Sequence, residues 1–144
     1  MKQDALIKIT GVQFGGGEKD VTELTTMGSF HKKNGSYYIC YDESDATGFS
    51  GSHTVLRYEE RDRRITLTRT GSVNSQLIME LGKRCQCSYD TGIGLLTVGV
   101  SCSSVKSTLG TDGGKIDFDY SLDINTALTS ENRVSVSVTA PPRS

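Results

Sequence analysis

The chain has 144 residues, of which 35% are hydrophobic and 23% are charged, so length and composition predict a single globular domain over residues 1–144. Sixteen basic residues face seventeen acidic ones, which leaves a formal net charge of −1. Nucleic acids and anionic membranes are bound through a surplus of basic groups, so we expect neither as a partner.

The first residues do not predict a secretory signal. Asp4 and Lys8 place charges where a signal peptide needs an uninterrupted apolar region. No run in the sequence approaches the roughly 20 apolar residues of a membrane-spanning helix. We therefore expect a cytoplasmic protein.

Apolar and polar residues alternate along most of the chain, which is the pattern of strands with one buried and one exposed face. The clearest case is the segment 115–124, where Ile116, Phe118 and Tyr120 alternate with polar residues. No segment keeps the spacing of an amphipathic helix. In chain order, the predicted strands are Ala5–Phe14, Asp20–Lys33, Ser36–Glu43, Ser52–Glu60, Arg63–Gly71, Asn74–Leu81, Arg84–Thr91, Leu95–Ser103, Lys115–Ile124 and Val134–Thr139.

The connections between these strands are mostly short. Asn34-Gly35 is a strong signal for a type I′ hairpin turn, because both central residues of that turn need a positive φ. A meander of about ten strands is expected to close, because closure removes its exposed edges. We predict an all-β fold, an antiparallel up-and-down β-barrel of about 8–10 strands, rather than a Greek-key sandwich.

Four segments together resemble a known family: GSYYICYDE at 35–43, LTRTGSVNSQLIMELGKR at 67–84, YDTGIGLLTVGV at 89–100 and GGKIDFDYSLDIN at 113–125. They are similar to the YwiB-like family, small uncharacterised proteins of Gram-positive bacteria that are grouped as a domain of unknown function. The resemblance extends from Ile7 to Val138 and implies a calycin-like barrel, as in lipocalins and fatty-acid-binding proteins. It implies no assigned substrate, cofactor or catalytic residue.

The four cysteines are expected to be free thiols. Cys85 and Cys87 would point to the same face of one strand, too far apart along it for easy bridging. With Cys40 and Cys102 they lack the paired CxxC spacing of a zinc site, which stays open as the alternative. We predict no metal site.

Residues for catalysis are scarce. His31 and His53 are the only histidines, and neither lies in a motif with a nucleophile, so both are expected at the surface. Gly15-Gly16-Gly17 lacks the spacing and the following helix of a phosphate-binding loop, and is expected to be a plain loop. We predict no cofactor, no catalytic residues and no enzyme activity.

One group of polar residues stands out on the inward faces of the third, fifth and seventh predicted strands. The up-and-down topology directs these strands the same way, so Tyr41, Glu43, Arg69 and Tyr89 are expected at one mouth of the barrel. A few polar groups that converge in an apolar lumen are typical of a small-ligand site. We predict that these four residues bind a ligand and that Arg69 holds its carboxylate or other anionic group.

The sequence therefore favours a cytoplasmic, calycin-like barrel that binds a small amphipathic or anionic ligand in its lumen. The alternative is a solid barrel in which Arg69 pairs with Glu43 as a structural plug, and which acts as a structural or protein-interaction module. An enzyme that uses the polar mouth as an acid–base site is the least favoured hypothesis, since no nucleophile–base pair is apparent there.

Overall fold

The computed structural model describes residues 3–43, 51–71, 74–90 and 94–139, and in these ranges the chain forms ten strands and no helix. The strands are β1 (Gln3–Gly15), β2 (Glu18–Lys33), β3 (Ser36–Asp42), β4 (Ser52–Glu59), β5 (Arg64–Gly71), β6 (Ser75–Glu80), β7 (Arg84–Asp90), β8 (Leu95–Ser107), β9 (Gly113–Ile124) and β10 (Ala127–Thr139). Each strand pairs antiparallel with its neighbours in sequence, and β1 pairs with β10. The predicted all-β, up-and-down barrel is confirmed. In the described ranges there is accordingly no helix of the length and apolarity needed to cross a membrane.

Strand β10 begins at Ala127, well before the predicted start at Val134. Its first inward positions are polar, because Ser130 is buried and Asn132 is half-buried. This part of the strand therefore lacks the alternation of apolar and polar residues, although its backbone still pairs with β9.

Strand β8 continues to Ser107, beyond the predicted end at Ser103. A bulge between Cys102 and Ser104 shifts the inward phase, so that Val105 is the next buried hydrophobic residue. A bulge adds one unpaired residue, so the residues after it no longer follow the two-residue alternation. The predicted strand therefore ended before the real one.

Two hairpin turns have the left-handed backbone that their residues suggest. Asn34 and Gly35 have φ values of 52° and 80°, which confirms the predicted type I′ turn. Gly16 and Gly17 have φ values of 59° and 79° between β1 and β2. The glycine run is thus a tight hairpin turn, with Gly15 paired to Glu18 at the end of the ladder.

The barrel is filled at the end where β2 turns into β3 and β4 turns into β5. There the ring of Phe30 stacks on Tyr37 with centroids 6.0 Å apart, and Tyr37 stacks on Tyr58 at 6.4 Å. Aliphatic side chains pack above these rings. At the opposite end, where the odd-numbered strands finish, polar residues face inward, and we call this end the mouth.

The cysteines are free thiols. Cys87 and Cys102 are buried in the core, and burial raises the pKa of both thiols. Both therefore remain protonated near neutral pH and serve as small apolar packing groups.

Strands β6 and β7 are joined by a shorter ladder than other neighbours. Among the described residues they share one registered pair, Gln76 with Ser88. Further from the mouth, the backbone N–H of Ile78 donates to Sγ of Cys87 at 3.3 Å. We call this region, with its single registered pair among the described residues, the β6–β7 seam.

Candidate functional site

Three of the predicted site residues meet in the mouth because β3, β4 and β5 are in register there. Tyr41 pairs with Thr54, and Thr54 pairs with Arg69. Tyr41 and Thr54 are buried, and the side chain of Arg69 is 11% exposed. Glu43 follows the last residue of β3, and its side chain is 1% exposed. The structure therefore brings an acid, a guanidinium and a phenol together inside the barrel.

The fourth predicted residue, Tyr89, belongs to β7, where its backbone pairs with Leu96 of β8. Strand β7 runs in the same direction as β3 and β5, as the meander predicted. The side chain of Tyr89 lies outside the described part of the structure, so its place in the site stays a prediction.

The backbone and its neighbours hold Glu43 in place. Its N–H donates to the carbonyl oxygen of Ser52 at 2.8 Å. Its carboxylate accepts a hydrogen bond from the Tyr41 hydroxyl, and Arg69 Nε lies 3.9 Å from Glu43 Oε2. Burial raises the pKa of the Tyr41 phenol, and the negative charge of Glu43 raises it further. Tyr41 is therefore a neutral hydrogen-bonding group in the mouth.

The pairing of Arg69 with Glu43 is looser than other ion pairs of the barrel. On the outer surface, Arg84 donates from Nε and Nη2 to the carboxylate of Asp123 at 3.0 and 2.6 Å. The separation of 3.9 Å between Arg69 Nε and Glu43 Oε2 exceeds the range of an N–H···O hydrogen bond. The two charges offset each other, but these two atoms do not form a hydrogen bond.

We expect Tyr41 to contribute to a loss of stability above about pH 10. Its phenol has a raised pKa in the fold, so at high pH the unfolded chain loses this proton before the folded chain does. The unfolded state then binds fewer protons, and the free energy of unfolding falls as pH rises; below about pH 10 the contribution is complete. Urea unfolding across this range should show a shallower decline for Tyr41→Phe than for the wild type.

Part of the decline should persist in that variant, because burial also raises the pKa of Tyr58. An identical pH dependence of the Tyr41→Phe variant and the wild type would contradict a raised pKa for Tyr41.

A cavity of about 180 Å³ opens beside these residues. Its wall combines aliphatic and polar side chains, and β1, β2, β9 and β10 complete it together with β3 and β5. The lining residues are Ile9, Gly11, Val12, Gln13, Asp20, Thr22, Tyr41, Glu43, Arg69, Tyr120, Asn132, Arg133 and Val134.

Sequence reasoning missed the half of the wall that β1, β2, β9 and β10 provide. Thr22 is the registered partner of Gly11, and Asn132 is the partner of Tyr120. The signal was present as polar residues in inward phase on β2 and β10, the same signal that identified Arg69 on β5. These polar residues indicate a shared cavity only when the pairing of β1 with β10 closes the barrel.

The fold and the cavity define the class of protein: a small, closed, ten-stranded up-and-down β-barrel with a polar mouth. The chain belongs to the family described as a domain of unknown function (DUF1934), which matches residues 7–136. This confirms the resemblance to YwiB-like proteins.

A solved structure supports the same architecture. The crystal structure of the ywiB protein from Bacillus subtilis is similar to this chain with a TM-score of 0.78 and 18% sequence identity. The similarity covers 94% of this chain and 92% of the other. At this identity it establishes the shared fold. No curated protein matches the chain.

The residues that the structure describes include no cluster of three or more His, Cys, Asp or Glu side chains suited to a metal ion. The histidines lie away from the cavity. His31 stacks on Tyr38 with ring centroids 4.6 Å apart, and Nδ1 of His53 lies 2.9 Å from Oδ1 of Asp42 at an exposed position.

Proposed function

We propose that this barrel is a non-enzymatic, calycin-like binding protein that holds a small ligand at its mouth. The observation that carries the proposal is the cavity of about 180 Å³ into which the buried groups of Tyr41, Glu43 and Arg69 converge. Small-ligand sites in proteins combine an apolar wall with a few fixed polar groups, and Ile9 and Val134 supply apolar wall here.

The composition of the site supports binding over catalysis. The described residues that line the cavity include no histidine, the commonest general base, and no cysteine or serine nucleophile. The net charge of −1 supports a small-molecule partner over nucleic acid or an anionic membrane. Four free thiols support a reducing, cytoplasmic setting.

The size of the cavity limits the ligand. A volume of 180 Å³ corresponds to about six water molecules at roughly 30 Å³ each. Pockets for drug-sized ligands are larger, about 300–1,000 Å³. A compact molecule therefore fits the site, and a long acyl chain does not.

Gly11 offers a direct test, because it lines the cavity and a Cβ built on it meets no atom within 4 Å. The Gly11→Leu variant should fold normally, with stability equal to the wild type or higher by up to about 1 kcal/mol, since a glycine inside a strand is unfavourable. Its side chain should fill the cavity. Wild-type protein equilibrated with a cell extract and repurified should release a small molecule on denaturation, measured by mass spectrometry, that Gly11→Leu does not release.

Thr10→Val is the matched control, because Thr10 is the neighbouring residue on β1 and is not among the residues that line the cavity. It should release the same compound as the wild type. Equal release from wild type and Gly11→Leu would place the bound molecule elsewhere and contradict the proposal.

A second candidate function is a solid structural or protein-interaction module. The observation that favours it is the charge pairing of Glu43 with Arg69, which together with Tyr41 closes part of the lumen. Failure of the wild-type protein to retain any small molecule from the extract would favour this module.

A further inference from the structure

Strand β2 extends well beyond the strand that follows it in the barrel. It spans Glu18–Lys33, whereas β3 spans Ser36–Asp42. Within the described residues, the ladder between them ends at the pair of Ser29 with Cys40, while β2 stays paired with β1 as far as the β1–β2 turn. The segment 19–27 of β2 therefore has one hydrogen-bonded side and one side that no described strand covers.

The backbone groups on this open side belong to every second residue. A two-residue hairpin turn ends its ladder with a hydrogen-bonded pair, which for β1 and β2 is Gly15 with Glu18. Such pairs alternate along an antiparallel ladder, so the even-numbered residues of β2 bond to β1. The N–H and C=O groups of Lys19, Val21 and Glu23 point to the open side instead. A row of backbone groups at a strand edge can form a ladder with another strand.

The side chains of these three residues lie on the outer face of the barrel, because exposure alternates along β2 and the odd-numbered residues are the exposed ones. Val21 is 56% exposed and is the registered partner of Val12 on β1. Lys19 Nζ lies 5.9 Å from the centroid of the Phe14 ring. In the described part of the chain, neither Lys19 nor Glu23 forms an ion pair. The edge thus presents an exposed valine between a cation and an anion that are both available for pairing.

These three residues are complementary to themselves in an antiparallel pair. When Val21 lies opposite Val21 of a second copy, Lys19 of each copy lies opposite Glu23 of the other. All three positions are then hydrogen-bonded pairs, since each has its backbone groups on the open side. A register centred on Glu23 or on Lys19 opposes two like charges, and one centred on Thr22 forms no pair of Lys19 with Glu23. Charge therefore selects the register centred on Val21.

We propose that this edge of β2 binds a second copy of the chain, with the two β2 strands antiparallel and centred on Val21. The contact consists of about six backbone hydrogen bonds, the paired valines, and an ion pair of Lys19 with Glu23 on each side of the centre. A strand pair of this length is smaller than the interface of a stable dimer, so the dimer forms reversibly, with a Kd of roughly 10 µM–1 mM. This inference is independent of the ligand proposed for the mouth.

Exchange of the two charges tests the register. Lys19→Glu places glutamate opposite glutamate on both sides of the centre, so it should raise the Kd measured by sedimentation equilibrium at least about tenfold. The double variant Lys19→Glu with Glu23→Lys restores opposite charges and should return the Kd to within about threefold of the wild type. A wild type that stays monomeric up to about 1 mM would overturn the proposal. A double variant that associates as weakly as Lys19→Glu would overturn it as well.

Lys8→Glu is the matched control. It makes the same change of charge at an exposed position on β1, whose backbone is paired with β2 on one side and β10 on the other. The Kd should stay within about twofold of the wild type, because Lys8 lies away from the open side of β2. A loss of affinity as large as that of Lys19→Glu would place the contact on the outer face of β1 and β2, and would contradict pairing at the edge.

Hydrogen exchange followed by NMR tests the backbone contact directly. At a protein concentration well above the Kd, the amides of Val21 and Glu23 should exchange at least about tenfold more slowly than in dilute protein. The amides of Thr22 and Leu24 bond to β1, so they should be protected at both concentrations. Unchanged exchange at Val21 and Glu23 in a protein that dimerises would overturn the pairing of the two β2 strands.

Discussion

Replacement of Gly28 by alanine is expected to destabilise the protein by about 3 kcal/mol, as for an overpacked core position. A Cβ at Gly28 would lie 2.1 Å from the carbonyl oxygen of Cys40 and 2.5 Å from Cδ1 of Ile7. The Ile7 side chain could move, but the Cys40 oxygen belongs to the backbone of β3, the strand that pairs with β2 here. The substitution therefore has to separate the two strands, which urea unfolding monitored by circular dichroism would measure.

Gly11→Ala is the matched control, since a Cβ at Gly11 meets no atom within 4 Å. Both glycines lie inside long strands, so the difference between the two variants isolates the close approach of β2 to β3. The control should match the wild type or exceed its stability by roughly 0.5–1 kcal/mol. Equal urea midpoints for the two variants would show that the contact of a Cβ at Gly28 with the β3 backbone does not lower stability.

Replacement of Arg69 by methionine is the second large effect, with an expected loss on the order of 3 kcal/mol. Methionine keeps much of the volume of the side chain but removes its charge. Glu43, whose side chain is 1% exposed, would then remain as a buried carboxylate without its guanidinium partner. The destabilisation comes chiefly from that uncompensated charge rather than from the loss of an attractive contact.

A double variant separates these two origins. If the buried charge is the cause, adding Glu43→Gln to Arg69→Met should recover a substantial part of the lost stability. Arg133→Met is the exposed control, because its side chain is 71% exposed in the pair with Asp119, and its loss should stay under about 0.5 kcal/mol. A loss of that small size for Arg69→Met would mean that Glu43 reaches solvent when Arg69 is replaced.

The fold was predictable from the sequence because one physical pattern runs through most of the chain. Inward residues such as Ile65, Ile116 and Val136 are apolar and outward ones are polar, so strand type and phase follow from the alternation. Asn34-Gly35 predicted a type I′ turn, and both residues have the positive φ that this turn requires. Where the alternation stops, at the start of β10 and after the bulge in β8, the predicted bounds were wrong.

The site was predictable only in part. Phase and strand direction bring Tyr41, Glu43 and Arg69 together, and both quantities can be obtained from the sequence. The rest of the wall depends on where β1 pairs with β10 to close the barrel. Local sequence patterns do not specify that pairing. The volume left beside Gly11 likewise depends on the packing of all the strands together.

Opening of the β6–β7 seam would expose two strand edges in the barrel. A fully hydrogen-bonded barrel exposes no strand edge to another chain, and such edges are where proteins associate improperly. If the seam separates, β6 and β7 become the borders of an open sheet, and the long ladder between β1 and β2 lies at its centre. We therefore expect the buried thiol of Cys87, whose Sγ accepts from the N–H of Ile78, to help keep these two edges covered as well as contributing to the core.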